Sequence, residues 1–441
     1  MIDTAILKEI IISQKKNFLN EKEIFQRKII KNFYEKYHKL KEVLVITGIR
    51  RCGKSFLLKL IWDEFKKRKE LSNDQFLYIN FEDERLVGFE RGDFSRLVET
   101  YYELNNPNEE KKIFIFLDEI QNINYWEKWV NRLYEENKYR IFITGSNATL
   151  LSSELAVALT GRNIPITLYP LSFYEFYVYF KNNILTKKNF YDIDEKVKIK
   201  KALDEYIKSG GLPEYIKTES IELIQEYFKN ILLRDIVNRY NIKYKQALKE
   251  LAHILLCNLG KIYSLRNLSK SIEIKNINTI KNYLQYLENS FLFFHVPLFS
   301  FSYKQQVYNP DKMYVVDTAF FYNIAFKTSE NIGSVYENIV FLELLRKGDY
   351  EIFYYKTKKN YEVDFVVKRK NEIELIQVSY ELYTDTTIER EERALIEGMK
   401  ELNSEYGIII NKDIEKEVLK NNKKIIYIPF WKWLLEQHLN I

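Results

Sequence analysis

Residues 44–61 read LVITGIRRCGKSFLLKLI, an apolar run, two glycines five positions apart, and a Lys54-Ser55 pair at the head of a new segment. The run EVLVITG (42–48) is short and β-branched, the pattern of a buried strand, and KSFLLKLIWDEFKK (54–67) has helical spacing at Phe56, Leu57, Leu60, Ile61 and Phe65. Between them, Gly48 to Ser55 fits G-x-x-x-x-G-K-[ST], with strand before and helix after as that motif requires. Gly48 and Gly53 let the backbone turn so that amide N–H groups converge on phosphate oxygens, and the helix N-terminus adds its positive end. The expected phosphate cradle is Gly48, Ile49, Arg50, Arg51, Cys52, Gly53, Lys54, Ser55 and Phe56. Lys54 would reach the β- and γ-phosphates of ATP, and the Ser55 hydroxyl would hold Mg²⁺.

Working outward, KIFIFLDEI (112–120) is a second apolar strand that ends in two acids. Asp118 would order the Mg²⁺ shell and Glu119 would polarise the attacking water. YRIFITGSN (139–147) is a third strand, ending in Thr144, Ser146 and Asn147, one of which is expected at the γ-phosphate or the water. Arg162 precedes a fourth strand, NIPITL, either as a cation that neutralises transition-state charge in a neighbouring subunit or as a surface arginine. With QFLYINFEDE (75–84), five strands are accounted for, and the fold class expected is α/β with a central parallel sheet.

Taken together, GIRRCGKS, YINFEDERL, LDEIQNI, ITGSN, LTGR, PLSFYEF and GGLPEY resemble the AAA+ superfamily, and more narrowly the archaeal and bacterial AAA family ATPases, over about residues 40–390. The resemblance implies that Gly48, Gly53, Lys54, Ser55, Asp118 and Glu119 carry ATP hydrolysis. It places Ser146 or Asn147 at the sensor position and makes Arg162 the finger candidate. A GTPase reading fails, because the nearest base-clamp string, NKDI at 411–414, is wrongly spaced and far downstream.

Composition bounds the rest. The chain has 441 residues, 46% hydrophobic, with seven Pro and thirteen Gly, so long disordered linkers are not expected. A net charge of +6 permits a polyanionic partner without requiring one. Two cysteines, Cys52 and Cys257, exclude a disulfide framework, and no charge-free apolar run is long enough to span a membrane, so a cytoplasmic protein is expected.

KALDEYIKSGGLPEYIK (201–217) and IELIQEYFKNILLRDIVNRYNI read as a small helical lid. Residues 245–295 read as three helices leading into a strand, which resembles a winged helix whose third helix presents Asn278, Thr279, Lys281, Asn282 and Gln285, either to DNA or as packing. SVYENIVFLELLRKG (334–348), then YEIFYYKT, YEVDFVVKR and EIELIQVSY, read as a helix and three strands. With Glu337 and Asp364 in place this resembles a PD-(D/E)XK nuclease, but Gln377 and Ser379 stand where an acid and a lysine belong, leaving Lys356 as a substitute cation. An amide holds Mg²⁺ poorly, so nuclease activity is not expected.

The division expected is a P-loop AAA+ core (1–175), a helical lid (176–240), a winged-helix-like part (241–318) and a nuclease-like α/β part (319–441). The function expected is a Mg²⁺-dependent ATPase that moves or gates the C-terminal parts, with ATP as ligand, DNA and a protein as candidate partners, and oligomerisation through Arg162 open. The rivals are a nucleotide-switched nucleic-acid-binding or defence-type protein with little turnover, and an ATP-gated endonuclease.

Overall fold

Val43–Thr47 (β1) is buried along its whole length. Burial on both faces is what a near-continuous apolar run in a parallel sheet signifies. The computed structural model describes residues 2–20, 25–148, 159, 161–326, 332–348, 350–370, 372–382, 384–436 and 438–439. Thr160 of the LTGR motif lies outside the described residues, as do 437, 440 and 441 near the end. The chain forms two compact units, Met1–Tyr169 with Asn289–Phe291, and Pro170–Glu288 with Leu292–Ile441.

In the first unit β1, β2 (Phe76–Asn80), β3 (Ile113–Asp118), β4 (Tyr139–Gly145) and β5 (Asn163–Thr167) make a parallel five-stranded sheet in the order β2-β3-β4-β1-β5. Helices α1 (Thr4–Asn20), α2 (Phe33–Tyr37), α3 (Lys54–Lys69), α4 (Asp93–Asn105) and α5 (Trp126–Glu135) surround it. Alternation along the strands sorts the core by shape. One set of alternate positions, Phe76, Phe114, Phe116 and Phe142, meets Trp62 and Phe65 of α3, with Trp62 stacked on Phe76 at 4.4 Å. The other set, including Leu77, Ile79, Ile115, Leu117 and Ile143, is aliphatic and packs with buried residues of α1, α4 and α5.

In the second unit the helix Ile193–Ser209 is capped by Asp192 and stops at Gly210, where φ is +66°. A Cβ on Gly210 would lie 1.7 Å from Asp317 Oδ1, and one on Gly211 2.2 Å from the Leu171 carbonyl oxygen. Asp317, fully buried, accepts the amides of Gly211 (2.7 Å) and Ala319 (2.9 Å). The glycine pair of GGLPEY is therefore a close-approach requirement as much as a helix stop. Beyond Pro213–Thr218, the expected long amphipathic helix is α-helical over Ile221–Asn230 and π-helical over Ile231–Asn238.

Helices Lys245–Cys257, Leu265–Ser271 and Ile277–Asn289 follow, with a three-stranded antiparallel sheet of β6 (Ile262–Tyr263), β7 (Phe293–Val296) and β8 (Asp311–Val315) in the order β6-β8-β7. Last come helix Ile332–Lys347 and a mixed sheet of β9 (Glu351–Lys356), β10 (Glu362–Arg369), β11 (Glu372–Ser379), β12 (Tyr406–Asn411), β13 (Lys416–Lys420) and β14 (Lys423–Pro429). Its order is β13-β14-β12-β11-β10-β9, with β9, β10 and β11 antiparallel and β11, β12 and β14 parallel. Helix Asp385–Glu401 supplies the crossover between β11 and β12. No helix among the described residues is long and apolar enough to cross a membrane.

Candidate active site

The C-terminal ends of β1, β3 and β4 are adjacent in the sheet, so the three polar segments that follow them meet at one edge. Ser55 Oγ donates to Asp118 Oδ2 (2.6 Å), Tyr78 OH donates to the same oxygen (2.9 Å), and the Thr144 hydroxyl donates to Oδ1. Thr144 also accepts the backbone N–H of Glu119 (3.0 Å). Lys54 Nζ donates to the carbonyls of Gly48 (3.2 Å) and Ile49 (3.3 Å) and lies 3.3 Å from Glu119 Oε1. The amide of Gln121 donates to the other oxygen of Glu119.

All of these charges are buried. Burial works against the Lys54 ammonium, but the carboxylates of Glu119 and Asp118 outweigh it and raise its pKa. Burial also opposes ionisation of Glu119, yet the neighbouring Lys54 and the Gln121 hydrogen bond bring its pKa down. Asp118 goes the other way: burial and the Glu119 charge raise its pKa in spite of three hydroxyl donors. Lys54 and the Arg50 guanidinium both act on Glu119, while Asp118 is met by three hydroxyl donors, so its charge is the less compensated of the two. Hydroxyl and carboxylate oxygens are the donors a hard divalent cation takes, and Mg²⁺ at a nucleotide needs only one or two of them because phosphates and water complete its shell. Ser55 and Asp118 fit that role. Among the described residues there is no cluster of three or more His, Cys, Asp or Glu able to hold a metal by itself.

The loop is built to keep its shape. Gly48 approaches so closely that a Cβ there would meet the Leu168 carbonyl oxygen at 2.1 Å. Cys52 is buried and its thiol contacts that same carbonyl (3.3 Å). Arg27, which the sequence reading passed over, donates to the carbonyls of Cys52 (3.0 Å) and Tyr169 (2.8 Å). Ile49 is buried, Arg51 has φ +70°, and Arg50 pairs with Glu82 (2.6 Å). Phe56, in the first turn of α3, stacks on Phe25 with ring centres 6.1 Å apart. In that turn the helix leaves its N–H groups without intrahelical acceptors, which is what the phosphate-cradle reading needs. A cavity of about 400 Å³ opens beside Ser55 and Phe56, bounded by Lys59, Tyr78, Asn80 and Glu82.

Ser146 and Asn147 are fully buried after β4. Arg162 donates to Asn131 and Glu135 (3.0 Å) and lies over the Tyr134 ring, so in this conformation it is committed to α5 of its own unit. Of the residues at the edge, the sequence marks Thr144 only as one of a polar trio and gives no signal for Tyr78 or Gln121. Asn80↔Asp118 and Leu117↔Ile143 are paired positions of the parallel ladders, and that register sets Asp118 between β2 and β4. No local spacing records it.

The second unit holds a different acid cluster. Glu337 and Asp364 come together as expected, but the cation among them is Lys312 of β8, 1% exposed. Its Nζ lies 2.8 Å from Glu337, 2.7 Å from Glu362 and 3.2 Å from Asp364. Tyr314 OH also donates to Glu337 (2.6 Å). Lys356, offered as a substitute cation, is exposed at the end of β9. Gln377 donates to Glu391 (2.7 Å) and accepts the Asp364 amide (3.3 Å). Burial pushes Glu337 up to about 7 against the pull of Lys312.

Residues 40–177 match an AAA domain model. The chain is 38% identical to the uncharacterized protein MJ1544 of Methanocaldococcus jannaschii over 99% of its own length and 96% of that protein's. It belongs to the family of MJ1544. A Haemophilus influenzae member of the same family is 33% identical over 78% of this chain and 84% of its own. After the AAA domain, residues 200–331 and 332–431 match two domains of unknown function, DUF8612 and DUF4143. Among solved structures, the Walker-type ATPase PABY2304 of Pyrococcus abyssi is similar at a TM-score of 0.41 and 14% identity, covering 68% of this chain and 96% of that one.

Proposed function

We propose that the AAA domain of this MJ1544-family chain binds ATP and hydrolyses it with Mg²⁺. The observation that carries the reading is the convergence of Ser55 on Asp118 (2.6 Å) and Lys54 on Glu119 (3.3 Å) at the sheet edge where the phosphate loop begins α3. In this reading the amides from Gly48 to Phe56 bind the triphosphate. Lys54 leaves the Gly48 and Ile49 carbonyls for the β- and γ-phosphates, and Ser55 and Asp118 hold the cation. Bound Mg²⁺ neutralises charge on the phosphate oxygens. Glu119, freed from Lys54, accepts a proton from the attacking water as Asn147 orients the terminal phosphate, and Arg162 supplies transition-state charge to a neighbouring copy once released from α5.

The remaining parts are read as what turnover moves: a helical lid (176–240), a winged-helix-like part (241–318) and a nuclease-like part (319–441), with DNA or a protein as partner. Three helices with a small antiparallel sheet support the second label, and a helix with antiparallel β9, β10 and β11 supports the third. Lys312 supports a mixed-sheet part without nuclease activity, because an internal ammonium stands among the acids that a catalytic cation would need. Two cysteines, one of them exposed, support a reducing cytoplasm.

Steady-state phosphate release tests the proposal. Glu119→Gln is expected to keep Mg·ATP binding and lose turnover by about 10²-fold or more. Lys54→Ala is expected to lose the binding heat in calorimetry. A second reading, a nucleotide switch with little turnover, draws on the engagement of Glu119 by both Lys54 and Gln121. It predicts normal binding with no phosphate release from the wild type. Absence of binding heat would remove both readings.

A further inference from the structure

Large apolar side chains exposed to solvent are not spread evenly. Among the described residues seventeen are exposed, and four of these fall in the eight residues 301–308: Phe301 (83%), Tyr303 (79%), Val307 (61%) and Tyr308 (79%). They occupy the connection between β7 and β8, whose tip is the short helix Tyr303–Tyr308. The base of the connection is anchored to β9: Phe299 N donates to the Tyr354 carbonyl (2.7 Å), Tyr354 N to that of Pro297 (3.0 Å), and Tyr354 OH to that of Pro310 (2.5 Å). The tip is held by its own bonds, Ser300 to Gln305 (2.8 Å) and Gln306 to the Ser300 carbonyl (2.7 Å). A six-residue helix is marginal alone, so these bonds are what present the rings in one arrangement.

Charge indicates what the rings meet. Of the chain's 68 Lys+Arg and 62 Asp+Glu, nine and three lie in residues 241–310, which leaves the other 371 residues with 59 of each sign. Residues 241–310 therefore carry an excess of +6, and the three-helix, three-strand part that carries the tip, with Asp311, Lys312 and Asp317 of 311–318 included, carries +5. Lys304 is exposed beside the rings, with Nζ 6.0 Å from the centre of Tyr308, and Lys281, Asn282 and Gln285 are exposed on helix Ile277–Asn289. A polyanion answers the charge, and a polyanion with accessible ring faces answers the aromatics as well. Duplex nucleic acid keeps its bases stacked inside, whereas unpaired bases stack on aromatic side chains.

We propose that the β7–β8 connection binds single-stranded nucleic acid, with Phe301, Tyr303 and Tyr308 stacking unpaired bases and Lys304 meeting phosphates, the excess positive charge of residues 241–310 adding long-range attraction. This goes beyond ATP hydrolysis and does not depend on it. The test is fluorescence anisotropy of the full chain without nucleotide, using labelled dT20 and a 20-base-pair duplex over a salt series. Wild type is expected to bind dT20 at least tenfold more tightly than the duplex, with affinity falling as salt rises. Tyr303→Ala/Tyr308→Ala is expected to weaken dT20 at least tenfold with little change for the duplex, and Tyr303→Phe/Tyr308→Phe to restore it. Tyr191→Ala, at a ring 79% exposed elsewhere, is expected to change nothing. ATP turnover and melting temperature measured on the double Ala variant show whether it is folded. Failure of wild type to bind dT20, equal binding of both probes, or affinity for dT20 unchanged in a folded double variant overturns the proposal. So does self-association that the double variant abolishes, which would make the tip a contact with a second copy of this chain.

Discussion

Thr144 acts on both acids of the candidate site, donating to Asp118 and accepting the amide of Glu119 (3.0 Å). Glu119 has φ +51°, a left-handed conformation that costs a non-glycine residue on the order of 1 kcal/mol and persists only where its surroundings impose it. The Thr144 hydroxyl is one such constraint. Thr144→Val keeps shape and burial but leaves the Glu119 amide without that acceptor, so the expected cost is about 1–3 kcal/mol in denaturant unfolding. Phosphate release is expected to fall more than ATP affinity, since the carboxylate loses its aim and the cradle does not. A variant with wild-type stability and turnover would show that Thr144 does not orient Glu119. The sequence revealed the residue type and its place at a strand end; the partner came from the register of β3 against β4.

At the scale of elements, Lys312 fastens β8 to helix Ile332–Lys347 and to β10 within the second unit. Breaking a buried ion pair on one side leaves the other side uncompensated, at about 3–5 kcal/mol. Lys312→Met is therefore expected to destabilise the second unit by roughly that amount in chemical denaturation, and Glu337→Gln on top of it to recover part of the loss. An unchanged midpoint would show that the ammonium contributes nothing.

Glu337 also sets a pH dependence. Its folded pKa, about 7, is raised above the ordinary glutamate value, so the folded state holds the proton more tightly. The stabilisation is complete below the unfolded pKa and is lost as pH rises through about 7. Unfolding free energy between about pH 4.5 and 7 is expected to fall less steeply in Glu337→Gln than in wild type, by up to about 1.4 kcal/mol per pH unit. Asp311 and Asp317, raised to about 6 by burial, contribute in the same direction and remain in the variant. The helix and three strands around this cluster were legible from periodicity. Its cation was not, because Lys312 lies twenty-five positions before Glu337 and fifty-two before Asp364.

For the whole molecule, a ligand that binds only the folded state stabilises by about 2.7 kcal/mol at a hundredfold excess over its Kd. Mg·ATP with Glu119→Gln is expected to slow hydrogen exchange in residues 43–55, 116–121 and 142–147. If nucleotide gates the remainder, exchange in 170–441 changes as well, and Lys54→Ala shows neither effect. Protection confined to the first unit would leave ATP binding standing and remove the gating role.

The sequence by itself determined the five core strands, the phosphate loop and the acids at its edge. Each is encoded over a few neighbouring positions, by apolar runs, glycines that a close approach demands, and a fixed spacing to Lys54 and Ser55. It also shows a helix and three strands, the last of them carrying Gln377, but β12, β13 and helix Asp385–Glu401 are not read from it. Tertiary structure alone decided which partners meet. Arg27 pins the loop from twenty-five positions away, Tyr78 reaches Asp118 across forty, and Lys312 stands among acids of a following helix and of another sheet. Contacts of that kind depend on strand order and register, which arise from burying whole faces at once, so no single stretch of chain carries them.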